Sequence, residues 1–438
     1  MQRPDPDPFD VIVVGGGFSG LRAARDLRDA GQRVLLLEGR DRLGGRTFLR
    51  PFAGHGQEVE LGGTWVAPRF QPHVAAEMDR YGIGLVEGQT GVPRWRWGFD
   101  AAPTSAFPLE GDEIYELERA VFRIMEASHR VDPSVPRDRQ DLGDLDVSVE
   151  RFLAGLRLSP RTTRFLAAWG TLGSGAPPEE WSILNALSLM AAFDHSAWAW
   201  WAGVVDKFAG GTRTVVEALA RDAAPVLELG ARVVRVDQRE PGRVVATTAD
   251  GRTFGAAAAI VALPVNVWRD IEFLPALGPA KATLARDGHP NRMSKVWVLV
   301  DGGPTDTICF GPGQDLLWLS PEYELDGATL MVGFSAPPSP LDVTDPDAVA
   351  RAVGAYLPNA RVLASDAHDW NADPLARGGW PAHRPGTLSR DASALQEPEG
   401  RVCFGGADIA TRWIGWLDGA LESGARAAQQ ALAVLRDA

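Results

Sequence analysis

The feature that most constrains this chain is a glycine-rich turn between a strand-like segment and a helix-like segment near the N-terminus. Four β-branched residues at positions 11–14 lead directly into Gly15, Gly17 and Gly20, in the spacing G-x-G-x-x-G. Apolar residues then recur at helical spacing, and a second apolar run ends at Glu38. This order of strand, glycine turn, helix, strand and acid predicts a βαβ unit.

The three glycines and the acid of this unit each have a physical role in binding a dinucleotide. Gly15 permits the tight turn, Gly17 lets the backbone approach a pyrophosphate, and Gly20 lets the helix pack closely on the sheet. The helix N-terminus presents free N–H groups and the positive end of its dipole to the diphosphate. Glu38 is placed to accept hydrogen bonds from a ribose. The sequence therefore predicts a dinucleotide site, with NAD and FAD equally open at this point.

The composition disfavours several classes of partner. A net charge of −13 argues against nucleic acids and anionic membranes, because both require a basic face. The sequence has no run of about 18 apolar residues, and its N-terminus lacks the basic and apolar regions of a signal peptide. We therefore expect a cytoplasmic protein with no nucleic-acid and no membrane partner. The length of 438 residues predicts two or three domains.

Cysteine and histidine give no sign of a metal site. The two cysteines, Cys309 and Cys403, fit a reducing compartment. Cys403 lies in a strand-like run, which predicts a buried and inert thiol. None of the seven histidines has the spacing of metal ligands. We therefore expect no metal ion.

Lysine is rare, with only three lysines among the 44 basic residues of the chain. They are Lys207, Lys281 and Lys295. Arginine has a planar fork of donors and does not substitute for the compact ammonium group of lysine. Each lysine is therefore a candidate for a specific role.

The pattern along the rest of the chain predicts a nucleotide-binding domain that is discontinuous in sequence. Helical patterns dominate residues 90–200, whereas short strands alternate between residues 226 and 264. A last strand at 401–404 and a last helix at 417–436 follow. We expect an α/β fold, in which an α+β substrate-binding domain is inserted twice into a Rossmann-type domain. The predicted segments are 1–89, 205–285 and 390–438 for the nucleotide-binding domain, and 90–204 and 286–389 for the substrate-binding domain.

Local patterns also predict individual elements. Asp345 followed by Pro346 is typical of a helix N-terminus, with aspartate as the cap and proline in the first turn. Residues 110–129 carry apolar side chains at helical spacing, and residues 316–319 and 330–334 are apolar enough for strands.

Four further motifs follow the first unit in a fixed order along the chain. They are residues 42–47 (RLGGRT), residues 60–65 (ELGGTW), residues 208–212 (FAGGT) with 232–236 (RVVRV), and residues 405–420 (GGADIATRWIGWLDGA). Together with the first unit, these motifs resemble the flavin-dependent amine oxidase family, which includes monoamine and polyamine oxidases. The resemblance extends over nearly the whole chain.

The resemblance implies FAD as the cofactor and assigns residues to it. Gly45 would admit the cofactor without a side-chain clash, and Arg46 would reach the flavin diphosphate. The other implied contacts are Gly62, Gly63 and Thr64 along the isoalloxazine ring, the Val233 backbone at the adenine, Asp408 at a ribityl hydroxyl, and Trp413 and Ile414 in the loop beside the flavin pyrimidine.

The resemblance also implies three catalytic residues. Lys295 would hold a water against flavin N5, where the water is proposed to assist reoxidation by dioxygen. Trp416 and Trp380 would take the positions of two aromatic rings that flank the substrate amine. Some relatives attach FAD through a cysteine after a late Gly-Gly pair. Here the Gly378-Gly379 pair is followed by Trp380, so we expect FAD to be non-covalent.

The implied reaction transfers a hydride from a carbon next to an amine nitrogen to flavin N5, giving an imine and, with dioxygen, hydrogen peroxide. The small-molecule partners are then an amine and dioxygen. Tryptophans in the predicted substrate-binding domain favour an apolar, aromatic or bulky ring-containing amine over a polyamine, which would need several carboxylates. We expect no more than half of them to line the pocket: Trp95, Trp97, Trp169, Trp181, Trp198, Trp200 and Trp201.

Several alternatives stay open. An L-amino-acid oxidase would need an arginine to clamp the carboxylate, and Arg94 and Arg96 lie in a candidate pocket segment at 92–98. A natural-product tailoring enzyme that oxidises an amine or amide before ring closure is a second alternative. Porphyrin or carotenoid desaturases share the nucleotide fold, although Lys295 and the block with Trp416 disfavour them. A non-catalytic flavoprotein and a homodimer are also left open.

Overall fold

Two large β-sheets organise the part of the protein that the computed structural model describes, which is residues 9–86, 94–98, 109, 111–202, 206–339 and 341–437. The strands in chain order are β1 (Phe9–Val14), β2 (Val34–Leu37), β3 (Leu49–Pro51), β4 (Glu58–Glu60), β5 (Trp65–Val66), β6 (Leu85–Val86), β7 (Arg94–Trp97), β8 (Asp206–Phe208), β9 (Val226–Glu228), β10 (Val233–Asp237), β11 (Val244–Thr248), β12 (Thr253–Val261), β13 (Glu272–Leu274), β14 (Ser294–Asp301), β15 (Thr307–Phe310), β16 (Trp318–Leu325), β17 (Ala328–Ser335), β18 (Arg361–Ala367) and β19 (Val402–Phe404).

The helices lie between these strands. In chain order they are α1 (Phe18–Asp29), α2 (Pro72–Tyr81), α3 (Asp112–Ser128), α4 (Val149–Gly155), α5 (Pro160–Ser174), α6 (Ile183–Ala192), α7 (Ala197–Ala202), α8 (Thr212–Ala223), α9 (Pro279–Asp287), α10 (Pro346–Tyr356), α11 (Leu388–Gln396) and α12 (Leu417–Arg436). Within the described residues, none of them combines the length and apolar character needed to cross a membrane.

The first sheet contains the predicted βαβ unit. Its strand order is β13–β10–β11–β12–β1–β2–β9, with β19 beside β12. Strand β1 pairs in parallel with both neighbours, so that Val13 lies opposite Leu36 and Ile260. Residues 11–14 are fully or almost fully buried, because apolar layers cover both faces of the sheet. This explains why the strand is a continuous apolar run instead of an alternating one.

Two apolar layers close the faces of this sheet. On one face, side chains of β1 pack against α1, α8 and α12, as Val13 does with Leu21 and Leu219. On the other face, Ile12 belongs to a cluster with Trp268. With both faces covered, the ends of the parallel strands are the place where a ligand has access to the sheet.

The second sheet has the strand order β18–β14–β17–β16–β15–β7 and is antiparallel except for the β15–β7 pair. One face carries an aromatic-rich cluster that includes Trp97, Trp297 and Phe310. The other face packs on α10 through Val353 and Tyr356. Helices α3 to α6 contribute to a further apolar cluster, which also includes Leu388 of α11.

The two sheets divide the chain as the sequence pattern suggests. Every strand of the first sheet lies in a segment assigned to the nucleotide-binding domain, and every strand of the second lies in a segment assigned to the substrate-binding domain. The proposed limits themselves stay a prediction. Two of them, after residues 285 and 389, fall inside α9 and α11, so the ends of these helices are better choices.

Some local predictions are confirmed and others need correction. Helix α10 begins at Pro346, and the Asp345 side chain caps it by accepting the Asp347 N–H at 2.9 Å. The helix predicted over 110–129 is α3, which begins at Asp112; Glu110 lies outside the described residues. Of the strand predicted at 316–319, only Trp318 and Leu319 lie in a strand, which is β16; it continues to Leu325 past a register irregularity at Pro321.

The segment at 92–98 contributes one described side chain to a cavity between the two sheets. Its described part, residues 94–98, contains β7 at the edge of the second sheet, and Trp95 of this strand lines the cavity whereas Arg94 and Arg96 do not. The short elements α2, α9, α11, β15 and β18 were not expected from the pattern.

Candidate active site

A cavity of about 1060 Å³ lies between the two sheets and receives residues from both. Glycine-rich loops of the first sheet form one part of its wall, with Gly15, Gly17, Gly45 and Val233 among the lining residues. Aromatic side chains form much of another part, in which Lys295 lies. The dinucleotide motif and the predicted catalytic residues therefore face the same space.

Two glycines of the first motif, Gly15 and Gly20, lie where side chains would not fit. Gly15 has a φ of +108°, and a Cβ there would lie 2.6 Å from the Ala262 carbonyl oxygen. A Cβ on Gly20 would lie 1.9 Å from the Gly15 carbonyl oxygen, so this glycine permits close packing of α1 without lining the cavity. A Cβ on Gly45 would lie 3.3 Å from the Gly17 Cα. The two glycine loops thus approach each other across the cavity wall.

The start of α1 is suited to an anion. Among the described residues, no side chain caps this helix at Gly17, and its first turn carries no acid. The first N–H groups of a helix have no partner within the helix. The open N-terminus at the cavity therefore fits a diphosphate.

Glu38 organises the same turn from the end of β2. It is buried, and its Oε2 accepts the Gly16 N–H at 2.7 Å while Oε1 accepts the Arg40 N–H at 2.8 Å. Each carboxylate oxygen has a second acceptor position, so the side chain is able to bind a ribose hydroxyl as well. Glu38 lines the cavity, as its predicted role requires.

Arg46 links three parts of the chain at the cavity wall. It donates to the Gly379 carbonyl at 2.6 Å and forms an ion pair with Asp408. Asp408 is fully buried and also accepts the Val265 N–H at 2.9 Å. Burial alone would raise the pKa of Asp408, but Arg46, His289 and the hydrogen bond from Val265 together hold that pKa below its usual range.

Three of the residues assigned to the cofactor by resemblance do not line the cavity. They are Asp408, Trp413 and Ile414. The Trp413 ring packs against Phe193 at a centroid distance of 4.7 Å, and its Nε1 donates to a backbone carbonyl. The wall is formed instead by Gly406, Ala407 and Gly415 of the same loop. Of the tryptophans of this block, Trp413 packs in the core whereas Trp416 lines the cavity.

Lys295 lies on β14 with its ammonium group beside the Gly62-Gly63 pair. Nζ donates to Thr64 Oγ1 at 2.7 Å and to the Gly62 carbonyl at 3.2 Å. It also lies 4.6 Å from the ring centroid of Trp65. Burial lowers the pKa of Lys295 from 10.5 to about 7, although the Glu60 carboxylate acts in the opposite direction. The amine is therefore close to the balance between its charged and neutral forms near neutral pH.

The segment from Gly62 to Thr64 joins this lysine to the cofactor loops. Gly62, Gly63 and Thr64 all line the cavity. A Cβ on Gly62 would lie 2.0 Å from the Arg46 carbonyl oxygen, so only glycine fits there. The structure thus brings Lys295, Thr64 and Arg46 together from distant positions in the sequence.

Trp380 and Trp416 both line the cavity, and their chain segments touch each other. The Trp380 Nε1 donates to the Gly173 carbonyl at 2.6 Å. A Cβ on Gly415 would lie 3.5 Å from the Trp380 Cβ. Other aromatic residues extend this wall: Trp65, Trp95, Trp169, Trp198, Trp318 and Phe334.

The expected tryptophans divide between the cavity and the core. Trp95, Trp169 and Trp198 line the cavity. Trp97 and Trp181 are buried in apolar clusters away from it. Trp200 packs at the edge of two clusters, and the side chain of Trp201 lies outside the described part of the chain.

The arginines proposed as a carboxylate clamp do not line the cavity. Arg94 is exposed and forms an ion pair with Asp306 at 3.4 Å, and Arg96 donates to the Tyr356 carbonyl. Among the described residues, the arginines of the wall are Arg40, Arg46 and Arg232, and none of them belongs to the second sheet.

The two cysteines lie in the core and do not line the cavity. Cys403 is buried, as predicted, and burial raises the pKa of its thiol to about 12. Cys309 is also buried. No group of His, Cys, Asp and Glu in the described ranges is arranged to hold a metal ion.

Sequence reasoning missed several wall residues of the second sheet. Trp318, Ser320 and Glu322 line the cavity from β16, and Phe334 lines it from β17. The only sequence signal for them was the alternation of Trp318 with Ser320 in a short apolar run. Nothing in that pattern indicated which face of the strand meets the cavity.

Known proteins resemble this chain over almost its full length. The family model described as flavin containing amine oxidoreductase matches residues 18–432. The (S)-6-hydroxynicotine oxidase of Paenarthrobacter nicotinovorans is 38% identical over 95% of this chain and 97% of its own. A pseudooxynicotine dehydrogenase of Pseudomonas sp is 32% identical over 98% of this chain and 87% of its own. The structure of cyclohexylamine oxidase from Brevibacterium oxydans has the same fold, with a TM-score of 0.83 at 22% identity over 99% of each chain.

Proposed function

The chain belongs to the family of flavin-containing amine oxidoreductases, and we propose that this FAD-dependent enzyme oxidises an apolar, ring-containing amine at the carbon next to nitrogen. The observation that carries this substrate class is the aromatic wall beside Lys295, which includes Trp380 and Trp416. Dioxygen is the proposed electron acceptor, and hydrogen peroxide and an imine are the proposed products.

The described residues fit FAD. The open N-terminus of α1, the facing Gly17 and Gly45, and Arg46 provide the donors and the space that a diphosphate needs. Bound FAD would supply the electron acceptor, taking the hydride from carbon before dioxygen removes both electrons. We propose that the cofactor is non-covalent, since Trp380 follows the Gly-Gly pair where some relatives have a cysteine.

The cavity wall favours a neutral amine over a cation. Aromatic faces remove water from the substrate, and a desolvated ammonium group loses its proton more readily. Trp380 and Trp416 present extended apolar surface to a ring, and their segments are fixed to each other near Gly415. The role of these residues is therefore to orient the amine and to exclude water.

Polyamines and amino acids fit this wall less well. Of the carboxylates that line the cavity on the side of the second sheet, Glu322 is paired with Lys207 and Asp306 with Arg94. No arginine of the described part of the wall belongs to the second sheet. The names of the relatives, which refer to nicotine-type compounds and cyclohexylamine, also support a ring-containing amine.

A peroxide assay over a matched panel tests the proposed function. The panel contains 2-phenylpyrrolidine, cyclohexylamine, putrescine, L-phenylalanine and the N-acetyl amide of 2-phenylpyrrolidine. We expect peroxide from the two ring amines, with kcat/KM at least tenfold above that for putrescine or L-phenylalanine. Preference for the amide would favour the tailoring alternative, and preference for L-phenylalanine would favour the amino-acid oxidase. Bound flavin with no peroxide from any compound would favour a non-catalytic flavoprotein.

Trp416→Ala is expected to lower kcat/KM for a ring amine by roughly 10- to 100-fold, the equivalent of losing one buried aromatic contact. Trp416→Phe keeps an aromatic face and should recover most of the loss. Trp181→Phe is the matched control, because Trp181 is a buried tryptophan away from the cavity. Steady-state kinetics with the FAD content measured in parallel decides the result. An unchanged kcat/KM in Trp416→Ala would remove this residue from the substrate site.

A further inference from the structure

The carboxylate of Glu322 lies among aromatic side chains on the wall of the second sheet, close enough to Lys295 to act on its charge, and we propose that it binds a neutral hydrogen-bond donor of the substrate. The donor is a second group, such as a ring hydroxyl or an amide-like N–H, distinct from the amine that is oxidised. This subsite rests on the proposed function and narrows its substrate class to ring amines that carry such a donor.

Glu322 is held in place by an ion pair across the cavity wall. It lies on β16, and its Oε2 accepts a hydrogen bond from Lys207 Nζ of β8. Lys207 also donates to the Tyr323 hydroxyl at 3.0 Å. In the small sheet of β5, β8 and β6, Lys207 lies opposite Trp65, which itself lines the cavity. The pair therefore joins two walls of the same space.

The carboxylate keeps an acceptor for a ligand. Only 16% of the Glu322 side chain is exposed, and the residue lines the cavity. Within the described residues, Lys207 donates to Oε2 and no side chain or backbone group donates to Oε1. Ser320, the neighbouring polar residue of the wall, already accepts the Trp318 Nε1–H at 2.9 Å. Glu322 is thus the free acceptor on this stretch of β16.

The charge of the pair selects the kind of donor. Burial would lower the pKa of Lys207, but Glu322 and Tyr323 together raise that pKa above its ordinary value, so the ammonium stays charged. The pair is then neutral overall, and Lys295 adds further positive charge nearby when it is protonated. A second ammonium on the substrate would therefore meet two lysines and one shared carboxylate. A hydroxyl or N–H donor needs only the free lone pairs of Oε1.

Three probes that differ in one substituent test the subsite in the holoenzyme. They are 2-phenylpyrrolidine, its para-hydroxyl analogue and its para-aminomethyl analogue, which carries a second ammonium. For the wild type we expect kcat/KM for the hydroxyl probe to exceed that for the unsubstituted probe about tenfold, the effect of one hydrogen bond to a charged group. Glu322→Leu should reduce this ratio to about one.

Removal of the other half of the pair should shift the preference in the opposite direction. In Lys207→Met, the Glu322 carboxylate has no counter-ion, so we expect kcat/KM for the aminomethyl probe to rise about tenfold relative to the unsubstituted probe. The double variant Lys207→Met with Glu322→Leu replaces the pair by apolar side chains and should show neither preference. It also keeps the test valid if the unpaired charge in Lys207→Met prevents folding. Glu324→Leu, an exposed neighbour on β16, is the matched control and should keep the wild-type ratios.

The results separate the subsite from its alternatives. A hydroxyl preference that is the same in the wild type and in Glu322→Leu overturns the proposal. An equal loss of kcat/KM for all three probes in Glu322→Leu would show that the Lys207–Glu322 pair has only a structural role. This result also overturns the proposal. If the wild type oxidises none of the probes, the proposed function fails. Probe binding, measured as a shift of the flavin spectrum, then decides the subsite by the same ratios.

Discussion

Lys295→Met is expected to slow the reoxidation of the bound flavin by dioxygen by about 100-fold, the usual effect of removing one preorganised charged donor. Nζ of Lys295 is held at the cavity wall by hydrogen bonds to Thr64 and the Gly62 carbonyl, beside the Trp65 ring. The methionine side chain has a similar length but carries neither a hydrogen-bond donor nor a charge. It should therefore fill the space and remove only the group that stabilises negative charge developing on dioxygen.

The pH dependence of the same step provides a signature of Lys295. Its pKa is lowered by burial to about 7, with Glu60 and Glu322 opposing this shift and Lys207 adding to it. The ammonium form predominates below that pH. The reoxidation rate of the wild type should therefore fall as the pH rises through about 7, and Lys295→Met should show no such step.

Stopped-flow mixing of the reduced enzyme with dioxygen measures this rate directly. Lys281→Met is the matched control, because Lys281 is also buried but donates to the Ala394 and Glu397 carbonyls away from the cavity. That variant is expected to lose stability and to keep its reoxidation rate. A rate for Lys295→Met within threefold of the wild type would exclude the proposed role.

Arg46→Met is expected to have the second large effect, on both FAD binding and folding. Loss of a charge-assisted hydrogen bond to a phosphate should weaken FAD binding by about 2 kcal/mol, or roughly 30-fold. The substitution also leaves Asp408 fully buried without its counter-ion. Breaking a buried pair in this way should lower the free energy of unfolding by about 3–5 kcal/mol.

A double-mutant cycle with Asp408→Asn separates the two effects. In Arg46→Met with Asp408→Asn, no buried charge is left unpaired, so much of the stability should return while FAD stays weakly bound. Fluorescence titration of the apoprotein gives the FAD affinity, and denaturant unfolding gives the stability. Wild-type FAD affinity in Arg46→Met would show that this arginine serves only the fold.

The dinucleotide site was predictable from sequence because its parts are local. Gly15, Gly17, Gly20 and Glu38 belong to one βαβ unit whose spacing follows from the geometry of a strand, a turn and a helix. The resemblance then indicated Lys295, and the structure places this lysine against the Gly62-Gly63 pair. Each of these residues lies in a motif that carries its own structural context.

The substrate wall was less predictable because it depends on tertiary packing. Trp318, Glu322 and Phe334 line the cavity only because β16 and β17 turn one face toward it, and no local pattern encodes that choice. The same limit explains why the side chains of Trp413 and Asp408 were wrongly expected at the cofactor. Their loop lines the cavity, but both side chains point into the core. The pairing of Arg46 with Asp408 joins residues 362 positions apart, a contact that periodicity does not reveal.

The central claim is that this chain is a flavin-dependent oxidase of ring-containing amines, and anaerobic mixing of the holoenzyme with 2-phenylpyrrolidine tests it most directly. We predict complete loss of the oxidised-flavin absorbance in a single turnover, followed by its return on addition of dioxygen with one hydrogen peroxide released per amine oxidised. A flavin that stays oxidised with this amine and with cyclohexylamine, but is reduced by putrescine or L-phenylalanine, would contradict the claim.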